Sequence, residues 1–267
     1  PEALPIMRMG SACLLFWLTS LFIKREKVTI KDLGLLFICA MCGVGINQGL
    51  FIVGLNRTSP VDASIIATGV PIFVMLLAAV ILKEPITKMK AFGVLMGCPG
   101  GISLLLASTH ATGQASSLEG NLMIIVSAFV YSIYLVLSKP LSLRYSAVTM
   151  MKWMFLFSAL FSLPLGWQDL GTAKAFSETV PLSVLGRISY IVFIATGLAY
   201  FLVPMALKRI RPTTVSMYNN AQPLIASTIA ITIGQDIFSW DKPLAAVLVF
   251  SGVYLVTQSK SKEELKG

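Results

Sequence analysis

The chain has 267 residues, 56% of them apolar and only 12% charged, and its mean hydropathy is +0.81. Soluble domains carry roughly 25% charged residues, so this composition excludes a water-soluble globular protein and specifies an integral membrane protein. The net charge of +9 then belongs to basic loops at a membrane face rather than to nucleic-acid binding.

Apolar stretches of about 20 residues cross a bilayer as helices. Nine are read in chain order, at roughly 4–23, 33–55, 61–82, 90–107, 119–138, 147–166, 184–207, 213–233 and 242–258. The segments between them are suited to turns. "KREKVTIKD" is charged, "STHATGQASS" is small and polar, and "KEPITKMK" combines charge with a proline. "RTSP" and "RIRPT" each place a proline where a first helical turn tolerates it. The predicted fold is an all-α, polytopic membrane protein.

Lys and Arg alternate between the loops. Every second loop, together with the tail, holds fifteen of the 21, the others with Arg8 hold five, and Lys152 lies inside an apolar segment. Basic residues favour the cytoplasmic side. The loops around Lys27, Lys88, Arg144 and Arg209 are therefore expected inside, those around Arg57, Thr112, Lys174 and Asp241 outside, and the C-terminus in the cytoplasm.

The sequence repeats itself. "PVDASIIATGVP" at 60–71 and "PTTVSMYNNAQP" at 212–223 share Pro at both ends and Ser in the fifth place, at an offset of 152 residues. The same register pairs Leu55 with Leu207, Arg57 with Arg209, Ala78 with Ala230, Ile81 with Ile233, Glu84 with Asp236 and Gly100 with Gly252. At an offset of 144 the first helix pairs with 147–166. Arg57 is expected outside and Arg209 inside, so the copies are inverted, as in many secondary transporters. The first copy spans 1–110 and shows four helices; the second spans 117–260 and shows five. The partner of 119–138 is missing, which points to a ten-helix parent whose first helix precedes Pro1.

These features resemble the drug/metabolite transporter superfamily, in particular its EamA-type ten-helix members. The residues that carry the resemblance are "GINQGLFIVGLNRTSPVDASIIATGVPIFVMLLAAVILKEPITKMKAFGVLMGCPGGISLLL" and "GLAYFLVPMALKRIRPTTVSMYNNAQPLIASTIAITIGQDIF". Each holds a short-loop pair of helices, a mid-helix proline (Pro71, Pro223) and an acidic residue at the end of that helix (Glu84, Asp236). The resemblance covers essentially the whole chain. It implies a ten-helix inverted repeat that moves small metabolites, often amino acids or related solutes, frequently outward across the inner (plasma) membrane. The departure is the missing first helix, which in this family helps line the cavity.

Polar stripes at helical spacing mark the expected cavity, because buried polar groups in a membrane helix face protein or water. They comprise Asn47 and Gln48; Ser64 and Thr68; Ser127, Tyr131, Tyr134 and Ser138; Ser189, Thr196 and Tyr200; and Ser216, Tyr218, Asn219, Asn220 and Ser227. The expected substrate-binding set is Asn47, Gln48, Thr68, Tyr131, Tyr134, Tyr200, Tyr218, Asn219 and Asn220. The competing reading for the small hydroxyls is bonding to their own helix backbone or across helices. Pro71 and Pro223 are expected as kinks or hinges beside the cavity, since proline removes a backbone donor. Glycines 93, 97 and 101 form a close-packing ridge within the chain, with a homodimer face as its second reading.

No catalytic pair, P-loop or HExxH signature is visible, which argues against an enzyme. Cys39 and Cys42 form a CxxC, but thiolates are opposed by hydrocarbon, and both are read as packing residues. No cofactor or metal is expected, only a small-molecule substrate and the lipid bilayer. Asp62, Glu84 and Asp236 lie at span ends rather than at the midplane, which favours uniport or exchange over proton coupling through a membrane carboxylate. A non-transporting scaffold or sensor is the alternative function.

Overall fold

A computed structural model describes residues 3–108, 117–171, 186, 189–233 and 240–259. The described elements are helical, with no strand among them. They are α1 (Ala3–Leu21), α2 (Ile30–Ala40), α3 (Ile46–Leu55), α4 (Pro60–Thr68), α5 (Val70–Ile81), α6 (Lys88–Ser108), α7 (Leu118–Arg144), α8 (Ala147–Gly171), α9 (Ala199–Arg209), α10 (Pro212–Asn219), α11 (Gln222–Thr232) and α12 (Asp241–Gln258). Five stretches among the described residues are long and apolar enough to cross a membrane: Ile30–Leu55, Asp62–Ile81, Leu118–Arg144, Ala147–Pro164 and Val192–Arg209. Large apolar side chains such as Phe22, Val80, Leu95, Val247 and Tyr254 face outward. In water such a surface would drive association; for this all-α polytopic membrane protein it is the face offered to lipid.

Local chemistry fixes where helices start. Thr29, Ser59, Thr87, Ser117 and Ser146 each accept, through the side-chain oxygen, a backbone N–H three residues on, at 3.0–3.3 Å. Each bond satisfies one of the four donors that a helix N-terminus leaves open. Pro60 and Pro212 open α4 and α10, where a missing N–H costs nothing.

The described residues form two compact units, Pro1–Gly45 with Leu137–Arg209, and Ile46–Val136 with Ile210–Gly267. In the first, α1 packs on α8, and each of the two also packs on a π-helical turn. These turns lie at Met41–Gly45 and Ile191–Leu198, so the first falls inside the second at the 152-residue register. Both contain a glycine at matching places. A Cβ on Gly45 would meet Phe161 of α8 at 3.3 Å, and one on Gly197 would meet Leu15 of α1 at 2.8 Å. At one end of this unit, Asp32 accepts from Arg144 at 2.9 Å and from the Tyr145 hydroxyl at 2.8 Å. Beside α8, the Glu26 carboxylate accepts from Ser146 N–H and Oγ, the nearest at 3.0 Å. Burial pushes the Glu26 carboxyl up, but hydrogen bonds from Thr149 and Ser146 and the charge of Lys208 outweigh it and hold it below its ordinary value.

In the second unit α6 and α12, which correspond at the same register, lie against each other. A Cβ on Gly93 would sit 2.8 Å from the Gly252 carbonyl, and one on Gly252 would sit 2.6 Å from the Gly93 carbonyl. Gly93 and Gly97 of the ridge thus pack inside the chain, where small residues let helix backbones approach in the absence of a hydrophobic drive between helices. Val94, Met217, Ala245 and Val249 close the core around this contact. Arg211 Nη2 donates to the carbonyls of Val256 and Ser259 at 2.9 and 2.8 Å, placing a cation on the C-terminal carbonyls of α12.

The stretches expected as continuous helices at 61–82 and 213–233 are both interrupted in mid-span. Gly69 N–H bonds Ile66 O at 3.0 Å, and Ile72 N–H bonds Gly69 O at 2.9 Å. Asn220 N–H bonds Met217 O at 3.1 Å, and Ala221 N–H bonds Tyr218 O at 3.0 Å. These are three-residue rather than four-residue bonds. Proline is the physical cause in both: Pro71 and Pro223 supply no N–H to the preceding turn.

Candidate functional site

The consequence of the first break is an unclaimed acceptor. In an unbroken helix Thr68 O would accept from Ile72 N–H, which instead bonds Gly69 O. Asn220 Nδ2 takes it at 3.3 Å and Cys98 Sγ at 3.2 Å. A buried carbonyl without a donor is costly in a membrane, so the second break's own asparagine satisfies the first break's carbonyl.

Around this contact the second unit forms an open cavity of about 540 Å³, within the range of small-molecule sites. Its polar wall is Asn47, Ser64, Thr68, Ser127 and Tyr131, with Asn219, Asn220 and Gln222 opposite in sequence; Phe51, Val70 and Ile124 are among the apolar remainder. No Asp, Glu, Lys, Arg or His is part of this lining. Asn47 Nδ2 donates to Ser127 O and Oγ, both at 2.9 Å, and Ser127 Oγ returns a bond to Asn47 O at 3.0 Å, tying α3 to α7. Asn219 Nδ2 reaches the Tyr131 hydroxyl at 3.5 Å, at the limit of a hydrogen bond. Thr68 turns its hydroxyl back onto Ile65 O at 2.7 Å.

Five of the expected substrate-binding residues therefore meet at one cavity: Asn47, Thr68, Tyr131, Asn219 and Asn220. The other four are elsewhere. Tyr134 is fully buried with its ring 5.7 Å from that of Tyr131. Tyr218 is half exposed, Gln48 is not on the cavity wall, and Tyr200 belongs to the first unit, where it meets Phe155 edge-on at 5.4 Å. Gln222 lines the cavity although the stripes omit it; it opens α11 beside Pro223, just past the polar run Tyr218–Asn220. Pro71 is buried immediately beyond the break.

The described charged residues of the second unit sit at or near helix ends. Lys90, with a fully buried side chain, donates to Glu84 at 2.8 Å. Asp62, in the first turn of α4, accepts from Asn121 at 3.4 Å. In the first unit Lys152 lies over the rings of Trp17 and Trp153, at 5.2 and 5.9 Å from their centroids, an attraction between a cation and the ring faces. Among the described residues no group of His, Cys, Asp and Glu is placed to hold a metal.

Comparison with known proteins places this architecture. The chain matches the EamA-like transporter family over residues 1–106 and 118–258. It is similar to the uncharacterized transporter YyaM of Bacillus subtilis (strain 168), at 25% identity over 95% of this chain and 83% of that protein. It is similar to the protein WALLS ARE THIN 1 of Arabidopsis thaliana, at 25% identity over 97% of this chain and 75% of that protein. One solved crystal structure shares the fold with a TM-score of 0.75 at 18% identity, covering 96% of this chain and 87% of the other.

Proposed function

The chain belongs to the EamA-like transporter family, and on that premise we propose that it is a secondary transporter of small organic metabolites, amino acids and related solutes among them, exporting or exchanging them by alternating access. It lies in the inner (plasma) membrane with its C-terminus in the cytoplasm, and its two sequence repeats, 1–110 and 117–260, have opposite topology. The observation that carries this reading is the pairing of two proline-broken helices at an uncharged cavity, through Asn220 and Thr68. Irregular backbone at membrane depth is tolerated where it is buried in protein or lines a cavity, and transporter sites are commonly built this way.

The chemistry required is binding and reorientation, not bond making. Amides and hydroxyls orient the solute, the apolar wall covers its carbon skeleton, and the breaks at Pro71 and Pro223 are the places where helix halves can bend independently. With the acids at helix ends and none on the described cavity wall, uniport or exchange is the simplest coupling. Purified chain in proteoliposomes, loaded with one unlabelled solute and offered the same solute radiolabelled outside, tests this. Counterflow above that of protein-free liposomes for at least one metabolite supports it. Absence of flux across amino acids, amines and their amides would contradict it.

A further inference from the structure

At the end of the first unit where Arg144 and Tyr145 meet Asp32, the link from α1 to α2 is pinned in place. Ser146 donates to Glu26, the Thr29 N–H reaches the Tyr145 hydroxyl at 3.4 Å, and Arg144 and Tyr145 donate to Asp32. The pins fall on every third residue, so both acids of this link turn onto the protein's own donors. What faces out is cationic. Lys24, Arg25, Lys27 and Lys31 are exposed, and so are Lys208 and Arg209 at the end of α9, where the charge of Lys208 acts on Glu26. Among the described residues none of these six makes an ion pair. The second unit uses cations differently: Lys90 is buried against Glu84, and Arg211 lies on the terminal carbonyls of α12.

A merely solvated loop would carry its cations among polar residues. Here the basic run is bracketed by Phe22 and Ile30, each 89% exposed. Such side chains gain nothing from water. At a membrane interface they enter the acyl boundary, while the long Lys and Arg side chains reach up to the phosphates. We propose that this end of the first unit is a docking surface for anionic phospholipid headgroups, held by Lys24, Arg25, Lys27, Lys31, Lys208 and Arg209, with Phe22 and Ile30 seated among the acyl chains. The net negative charge of such a headgroup is what Glu26 and Asp32, already engaged, leave unsupplied. A zwitterionic headgroup brings its own cation, so phosphatidylglycerol is favoured over phosphatidylcholine. The proposal requires a membrane-embedded chain and is independent of what the cavity carries.

The test is native mass spectrometry of the purified full chain in detergent, titrated with phosphatidylglycerol or phosphatidylcholine, which gives an apparent Kd for each. Phosphatidylglycerol should bind at least about tenfold more tightly, and Lys24→Gln/Arg25→Gln/Lys27→Gln should lose about tenfold or more of that affinity, since each cation near an anionic surface adds to the attraction. Lys24→Arg/Lys27→Arg, which keeps the charge, should bind as the wild type does. Equal affinity of the wild type for the two lipids would overturn the proposal without any variant being made. Unchanged phosphatidylglycerol affinity in the glutamine variant would overturn it by placing the lipid elsewhere. Free glycerol phosphate or polyglutamate binding as tightly as phosphatidylglycerol would overturn it by making the partner a soluble anion or an acidic peptide rather than a lipid.

Discussion

Asn220 donates from Nδ2 to the backbone carbonyl of Thr68 at 3.3 Å, and these two residues stand at the same place in the sequence register, 152 positions apart. The bond exists because Pro71 ends the regular bonding of its helix one turn too early, and because the second copy carries an amide where the first carries threonine. It joins a local backbone defect to a long-range contact.

That linkage is thermodynamically testable. Asn220→Ala should cost about 1 kcal/mol, the usual net worth of a buried hydrogen bond. Pro71→Ala restores an N–H and lets Ile72 return to Thr68 O, so Asn220→Ala should cost less in that background. A double-mutant cycle of unfolding in detergent should show a coupling of at least about 0.5 kcal/mol. Additive costs would mean that the two breaks are independent.

The contact between α6 and α12 makes a second prediction. Gly252→Ala would press a methyl group against the backbone of Gly93 and Gly97, with Cβ 2.6 and 2.9 Å from their atoms. Backbone cannot swing aside as a side chain does, so a loss of about 1–3 kcal/mol is expected from overpacking. Gly49→Ala, which meets nothing within 4 Å, is the control and should leave the melting temperature close to that of the wild type. Equal melting temperatures for the two variants would show that the helices separate freely.

Glu26 ties stability to acid. Its folded carboxyl is held below its ordinary value, which near 4.3 is that of the unfolded chain. The unfolded state therefore binds the proton first, and the contribution of Glu26 is fully present above that value and is lost as pH falls through the folded pKa. Glu26→Gln should lower the melting temperature at pH 7, and its deficit should shrink progressively below about pH 4. A deficit that stays constant from pH 7 to pH 3 would remove the carboxylate's role at the start of α8.

Much of this organisation was legible in the sequence because proline, charge and apolar length act locally. Pro71 and Pro223 announced the two breaks, and Asn47, Thr68, Tyr131, Asn219 and Asn220 stood out as polar groups in apolar spans. Tyr200 shows the limit of periodicity. It was grouped with Ser189 and Thr196 by α-helical spacing, but the π-helical turn at Ile191–Leu198 is wider than an α-helical one and rotates the residues beyond it to a different face. No residue type marks such a turn in advance. Tyr134 was placed by spacing beside Tyr131, yet helix α7 carries it into full burial, a matter of what packs against α7 rather than of its own sequence.

The central claim, that the cavity lined by Asn47, Tyr131, Asn219 and Asn220 is the transport site, can be tested without knowing the solute. A single cysteine is placed at Asn219 in a background lacking Cys13, Cys39, Cys42 and Cys98, and its reaction with a membrane-impermeant thiol reagent is measured from each face of oriented membrane vesicles. Alternating access predicts labelling from both faces. Competition between the two conformations should slow labelling from one face when a solute that binds is held on the other. Reaction from neither face, or from one face only under all conditions, would contradict the account and leave these residues as ties between helices.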